Sequence, residues 1–137
     1  MSFILHAGKT KDIKLPVTAS TVLSVNSLVS HTSGQLVAAT SSSNAVDILG
    51  VVLKAIVATD DDYTDERLIS IRIPMERFTE WIADFTATLV VADVGLEVDL
   101  TDAVTLNRAA SSKDIAKVKK VLSTTKGVVW ISFHDSY

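Results

Sequence analysis

The side chains that could perform acid–base or metal chemistry are few and scattered along the 137-residue chain. It contains no cysteine, which excludes disulfides, thiol nucleophiles and cysteine-ligated zinc. Its three histidines, His6, His31 and His134, have no partners at the spacing of a catalytic or metal-binding motif. The glycine-rich, nucleophile-elbow and H-E-x-x-H motifs are also absent. The sequence therefore predicts no enzyme activity, no metal site and no bound cofactor.

One acidic run, residues 60–66, brings five carboxylates close together in sequence. Clustered carboxylate oxygens are the ligands that Ca²⁺ prefers, but the run lacks the glycine and the distal glutamate of an EF-hand loop. We therefore expect a solvated hairpin tip here rather than a metal site.

The lysines form one basic cluster near the C-terminus, comprising Lys113, Lys117, Lys119, Lys120 and Lys126. On a regular strand Lys117 and Lys119 share one face and Lys120 points to the other, so the predicted patch is small. The whole chain has 13 basic and 16 acidic residues, a net charge of −3. This balance favours lysines that protect a sheet edge over a nucleic-acid site.

The elements that must position these residues are predicted to be strands. Val, Ile and Thr account for 42 of the 137 residues, and β-branched side chains favour strands over helices. Apolar residues alternate with polar ones in three segments, 12–17, 68–73 and 96–100, which indicates half-buried strands. Pro16 and Pro74 should lie at strand ends or edges, because proline cannot donate to a ladder.

Other strands are predicted from apolar runs and from the turn residues between them. Residues 48–57 and 128–133 are apolar at nearly every position, as expected of central strands. Shorter strands are predicted at 28–31, 35–38, 88–92, 104–107 and 116–122. The regular spacing of turn signals favours a compact barrel or sandwich over βαβ units.

The segment PMERFTEWIADF breaks the strand pattern. Its apolar residues Phe78, Trp81, Ile82 and Phe85 follow the i, i+3, i+4, i+7 spacing of a helical face, which predicts a short helix around 76–85. Such an aromatic stripe could plug an open end of the barrel or dock on a partner.

The balance of apolar and charged residues predicts a soluble chain that assembles with others. Mean hydropathy is +0.34 and only 21% of residues are charged, so we expect apolar surface to be covered by a partner or by sister subunits. No apolar stretch approaches the roughly 20 residues that span a bilayer, so no membrane association is expected. The N-terminus has no basic leader, so a cytoplasmic site of synthesis is expected.

Four segments of the chain follow a recognisable pattern. Residues 17–29 read V-x-A-S-x-x-L-x-x-N-x-L-V, 33–40 read S-G-x-L-V-x-A-T, 48–56 read I-x-G-V-x-L-x-x-I, and 93–101 read D-V-G-x-x-x-D-L-T. An Asn-ending strand, a V-x-x-V-L strand and a final strand ending in Phe follow them. From residue 12 to 133 the chain resembles the small head decoration, or capsid cement, proteins of tailed phages. The PMERFTEWIADF segment departs from that pattern.

This resemblance implies a mechanical role in the virion. Such proteins bind the outer surface of the expanded capsid, often as trimers, and clamp neighbouring major capsid protein subunits against internal DNA pressure. It implies a compact β-barrel or β-tulip-like domain over residues 12–137, preceded by an N-terminal arm over 1–11, in a homotrimer or a dimer. The expected capsid-binding residues are Phe3, Ile4, Leu5, His6, Phe78, Trp81 and Phe85. An extended arm could add a strand to a sheet edge of the shell, and deleting residues 2–10 should then abolish binding without unfolding the domain.

Three alternatives remain open at this stage. The arm could instead be disordered or packed on the barrel. The protein could be another virion β-domain, such as a head-fibre base or a tail-tube component. It could also be a small ligand-binding barrel, which would need a pocket with convergent polar groups.

Overall fold

The computed structural model describes residues 3–132 except for 33, 45–46, 62–63, 66 and 76–78. Strands and isolated bridges make up 52% of the described residues and helices 3%, so the predicted all-β fold is confirmed. Within the described residues the strands are β1 (Ile4–Ala7), β2 (Thr10–Pro16), β3 (Leu28–Thr32), β4 (Gln35–Ala38), β5 (Ile48–Val52), β6 (Leu68–Pro74), β7 (Glu80–Thr86), β8 (Glu97–Asp102), β9 (Thr105–Asn107), β10 (Ala116–Val121) and β11 (Lys126–Ile131). A 3₁₀ helix, Val91–Asp93, separates β7 from β8. No helix in this described part of the chain is long and apolar enough to cross a membrane.

Five strands close into the expected barrel, in the order β7-β11-β10-β8-β9. Its ladders are antiparallel except where β9 closes the ring by pairing in parallel with the second half of β7, from Asp84 to Thr86. β1 pairs with the first half of β7, where Ile4 faces Ile82 and Leu5 faces Trp81. One edge of β7 is therefore shared between β1 and β9.

The other five strands form a second antiparallel sheet, in the order β2-β6-β5-β3-β4. Its outer strands meet at one end, where Val17 bridges to Leu36 and the Thr18 amide donates to the Leu36 carbonyl at 3.0 Å. Pro16 ends β2 and Pro74 ends β6, as their missing N–H groups predict.

A two-stranded ribbon connects the barrel to the second sheet. β1 and β2 run antiparallel to β7 and β6, and the Met75 amide donates to the Lys9 carbonyl at 2.8 Å where the ribbon passes from one sheet to the other. Residues 4–7 and 10–16 are therefore both paired strands.

Two apolar clusters fill the interior. One occupies the barrel, and the other lies within the second sheet. β5 belongs to both, since Ile48 and Val51 pack in the barrel cluster while Leu49 and Val52 pack in the second. The prediction of a doubly buried strand is confirmed for Ile48–Val52, but the strand ends there instead of continuing to residue 57.

The helix expected around 76–85 is wrong, because Glu80–Thr86 is strand β7; residues 76–78 lie outside the described part. Residues four apart share a face in both a helix and a strand, so the Trp81–Phe85 spacing could not separate the two. Ile82 decides between them: a helix would place it beside Trp81 on the buried face, whereas in β7 only Trp81, Ala83 and Phe85 join the core. Residues 88–92 are likewise not a strand, since a loop and the 3₁₀ helix occupy them.

Candidate interaction surfaces

The N-terminal candidates alternate between the core and the surface. Phe3 is fully buried (0% exposed) in the barrel cluster, and Leu5 packs against that cluster. Ile4 and His6, on the opposite face of β1, are exposed. In this conformation Phe3 is inaccessible to a partner, Leu5 is partly covered, and Ile4 and His6 are exposed.

The aromatic candidates of β7 lie inside the barrel. Trp81 is fully buried, and its indole Nε1 donates to the Thr79 hydroxyl at 3.0 Å. Phe85 is also buried, in the same cluster. These two side chains fill the barrel and are not on its surface; Phe78 lies outside the described residues.

The acidic run is anchored by one turn. The Asp60 carboxylate accepts from the Val57 amide at 3.1 Å and pairs with Arg67 at 3.2 Å, so it fixes the turn after β5. Among the described residues, no group of three or more His, Asp or Glu side chains is arranged to hold a metal ion. His31, in β3, is exposed.

The lysine cluster is larger than regular strand alternation predicts. A β-bulge in β10 lies between Val118, which faces Val129, and Lys120, which faces Val128. Because Val118 and Val121 both point towards the barrel core, Lys117 and Lys120 both point outwards. Lys119 also lies outside, with its ammonium 3.7 Å from the centre of the Trp130 ring. The expectation that Lys120 faces away from the other two is therefore wrong.

The valine loop, residues 87–95, is an exposed surface that sequence reasoning missed. Val91 is 81% exposed, and Val90 and Val94 are about half exposed. Asp93 is the loop's single charged residue, and its side chain is buried. The Leu89 amide donates to Thr124 and the Gly95 amide donates to Val118, both at 2.8 Å, so the loop lies along residues 118–124. The sequence does contain a signal for this surface, because these nine residues include only one charge. Their β-branched side chains, however, favour a strand.

Asp93 holds the valine loop in shape. Its carboxylate accepts from Arg108 Nε at 2.8 Å and from Arg108 Nη2 at 2.9 Å, a two-pronged ion pair. It also accepts from the Val90 amide at 2.8 Å. The Arg108 guanidinium, and secondly the Val90 amide, hold the pKa of the Asp93 carboxyl below its ordinary value.

A second apolar surface, the distal patch, comprises Val22, Val57 and Leu68. The bridge between Leu23 and Ile56 brings Val22 and Val57 opposite each other, and both side chains are exposed. Leu68, 61% exposed, begins β6 at the same end of the second sheet. The patch lies beside the Asp60–Arg67 pair, because the Val57 amide donates to Asp60 and Leu68 directly follows Arg67.

Asp99 is a buried carboxylate that binds a loop rather than a ligand. It accepts from the amides of Lys113 and Asp114 at 2.8 and 2.9 Å and from the Ser112 hydroxyl at 3.1 Å. The alternation of β8 predicted a solvated Asp99, but the connection from β9 to β10 covers it. These donors satisfy the carboxylate within the fold.

Comparison of the sequence with models of known protein families found no match, and comparison with curated proteins found none either.

Proposed function

We propose that this protein is a structural virion component that binds the outer surface of a tailed-phage capsid and stabilises the expanded head by bridging major capsid protein subunits. The role is mechanical rather than catalytic. One observation carries the proposal: the glycines, the aspartates and the asparagine that are fixed in the decoration-protein pattern include five residues, at 26, 50, 93, 95 and 99, for which this fold gives a physical reason.

Two glycines of the pattern stand where a side chain would clash or would strain the backbone. A Cβ at Gly50 would lie 2.5 Å from the Arg72 carbonyl of the neighbouring strand, so β5 and β6 could not pair as they do. Gly95 ends the valine loop at a φ of +92°, a backbone conformation that side chains disfavour. The backbone path of this fold therefore favours glycine at both positions.

Two aspartates of the pattern make hydrogen bonds that hold neighbouring loops in place. Asp93 ties Arg108 to the valine loop, and Asp99 ties β8 to the β9–β10 connection. Asn26, also part of the pattern, has a φ of +62°, which asparagine tolerates better than most residues. A pattern that identifies loop-fixing residues supports the resemblance more strongly than strand spacing does.

The surface chemistry suits attachment to a shell. Exposed aliphatic side chains are presented on loops held by ion pairs, so little conformational entropy is lost when they dock. Many copies on one particle would multiply a modest contact.

The test is co-sedimentation with mature capsids of the parent phage that lack this protein. We expect saturable pelleting at a fixed ratio to the major capsid protein, which would also identify the symmetry positions occupied. Protein that stays in the supernatant at micromolar concentration would overturn the proposal and move a tail or fibre component ahead.

Point variants test the N-terminal segment better than a deletion. Removing residues 2–10 would also remove Phe3 from the core and β1 from β7, so lost binding would be ambiguous. We expect Ile4→Asp to weaken pelleting if β1 contacts the shell, and Met75→Asp, at another exposed apolar site, to leave it unchanged. Pelleting of the Ile4 variant at wild-type level would remove this segment from the proposed contact.

A further inference from the structure

The valine loop and the turn at Val57, which carries part of the distal patch, are each held by an aspartate. Asp93 accepts from the Val90 amide and Asp60 accepts from the Val57 amide, and each of the two carboxylates also pairs with an arginine. These bonds fix the backbone of both loops. Their exposed valines can therefore pack on a partner with little further loss of conformational entropy.

The two surfaces belong to different sheets that are joined by packed strands. The valine loop connects β7 to β8 of the barrel, whereas Leu68 of the distal patch begins β6 of the second sheet. β5 is buried on both faces and contributes side chains to both apolar clusters. The ribbon of β1 and β2 joins the sheets a second time, because it pairs with β7 and with β6. A force on one surface is therefore transmitted to the other through close-packed structure.

Each set of exposed side chains is small for a stable pairwise interface. The valine loop exposes Val90, Val91 and Val94, and the distal patch exposes three side chains, all six of them aliphatic. A stable interface buries roughly 800 Å² on each partner and is usually anchored by aromatic or arginine side chains. Three aliphatic side chains supply only part of such an area. Two small contacts made by one chain do strengthen each other, because binding at the first holds the second close to its site.

We propose that the valine loop and the distal patch form a two-point attachment, in which each packs on an aliphatic area of a different major capsid protein subunit. The inference rests on the proposed capsid function and specifies the surfaces that perform it. A shell presents neighbouring identical sites at a fixed distance, so both contacts form together. Two free copies of this chain would meet through one small contact only, which makes a second copy the poorer occupant of either surface. Force between the two subunits then passes through the barrel, β5 and the second sheet.

Introduced cysteines test the two-point attachment directly, because the chain has none of its own. Val91→Cys and Leu68→Cys place one cysteine in each surface, and a double variant carries both. Each is labelled with a maleimide–benzophenone reagent, bound to mature capsids that lack this protein, and illuminated so that the label inserts into nearby C–H bonds. We expect each single variant to yield one chain joined to one capsid subunit, and the double variant to yield also one chain joined to two. Met75→Cys, an equally exposed position outside both surfaces, should yield neither product.

The other outcomes overturn the proposal. A double variant that is joined to only one subunit would mean that both surfaces contact the same subunit. Products that contain two copies of this chain and no capsid protein would mean that the surfaces join sister copies. Pelleting without crosslinks from one or both surfaces would place the contact elsewhere and leave the capsid function standing. A wild type that does not pellet would instead remove the capsid function, and this inference with it.

Aspartate variants provide the matching affinity test. Val91→Asp and Leu68→Asp should each weaken pelleting by about tenfold or more, because each loses one of two linked contacts. At concentrations that restore full occupancy, the heads should still release DNA on heating as readily as undecorated heads; wild-type resistance to heating would contradict the two-point attachment. Met75→Asp should match the wild type in both measurements. Thermal unfolding must show the variants folded, and Val94→Asp and Val57→Asp replace them if it does not.

Discussion

Replacing Asp99 tests whether a single buried carboxylate holds the connection between β9 and β10. In Asp99→Ala, the amides of Lys113 and Asp114 and the Ser112 hydroxyl all lose their acceptor. Asp114 has a φ of +53°, so the turn that these bonds hold is also one that the backbone alone disfavours. We therefore expect the connection to detach from β8 and the fold to lose stability.

The size of the loss follows from the lost bonds. An amide left without a partner in a partly buried site costs about 1–3 kcal/mol, and water recovers part of that where the loop opens. We expect Asp99→Ala to lower the free energy of unfolding by about 2–4 kcal/mol. At about 2–4 °C per kcal/mol for a chain of this size, the melting temperature should fall by roughly 5–15 °C.

Two further variants separate the acceptor from the charge. Asp99→Asn keeps one oxygen that can accept both amides, so it should cost about 1 kcal/mol, and Ser112→Ala, which removes one donor, about 0.5–1 kcal/mol. Urea unfolding followed by tryptophan fluorescence measures all three, and amide exchange at Lys113 and Asp114 reports the loop directly. The reasoning is refuted if Asn costs as much as Ala, or if Ala lies within about 0.5 kcal/mol of the wild type.

The remaining predictions concern two backbone positions and one ion pair. Gly50→Ala should destabilise by about 1–3 kcal/mol in urea unfolding, because its Cβ would overlap the Arg72 carbonyl; a neutral result would contradict the close approach. Ala87→Gly should raise stability by roughly 0.5–1 kcal/mol, because Ala87 has a φ of +67°, and a lower melting temperature would refute this. Arg108→Met should lower stability at neutral pH. The pKa of Asp93 is depressed in the folded state, so the Arg108 contribution is present above about pH 4 and is lost as pH falls through the folded-state pKa; a gap between wild type and variant that widened as pH fell below about 4 would contradict it.

Strands could be predicted from the sequence where the residues of a segment fit a strand and do not also fit a helix. The sequence predicts a strand at 35–38 and the structure has Gln35–Ala38, because turn residues bound this short, mostly apolar run on both sides. The β7 error shows the limit of the same reasoning. Trp81 and Phe85 fit both periods, and which face Ile82 takes depends on the tertiary fold.

The candidate surfaces were harder to predict because they depend on departures from regular structure. A bulge that turns Lys120 outwards leaves no mark in residue spacing. Asp99 follows strand alternation but is covered by a connection that is distant in sequence. The valine loop has the composition of a strand, but the bonds made by Asp93 and the 3₁₀ helix at Val91–Asp93 make it a loop.

In both loops, an aspartate that fixes the backbone lies next to exposed valines. Residues 87–95 contain one charged side chain, and the fold turns it inwards to Arg108 instead of leaving it in water. Asp60 also pairs with an arginine, Arg67, and fixes the turn at Val57, although its side chain stays 31% exposed. A loop selected only for solubility would keep its carboxylate outside and its valines covered. Here the carboxylates fix the backbone and the valines face outwards, so the two loops are organised to make apolar contacts at little entropic cost.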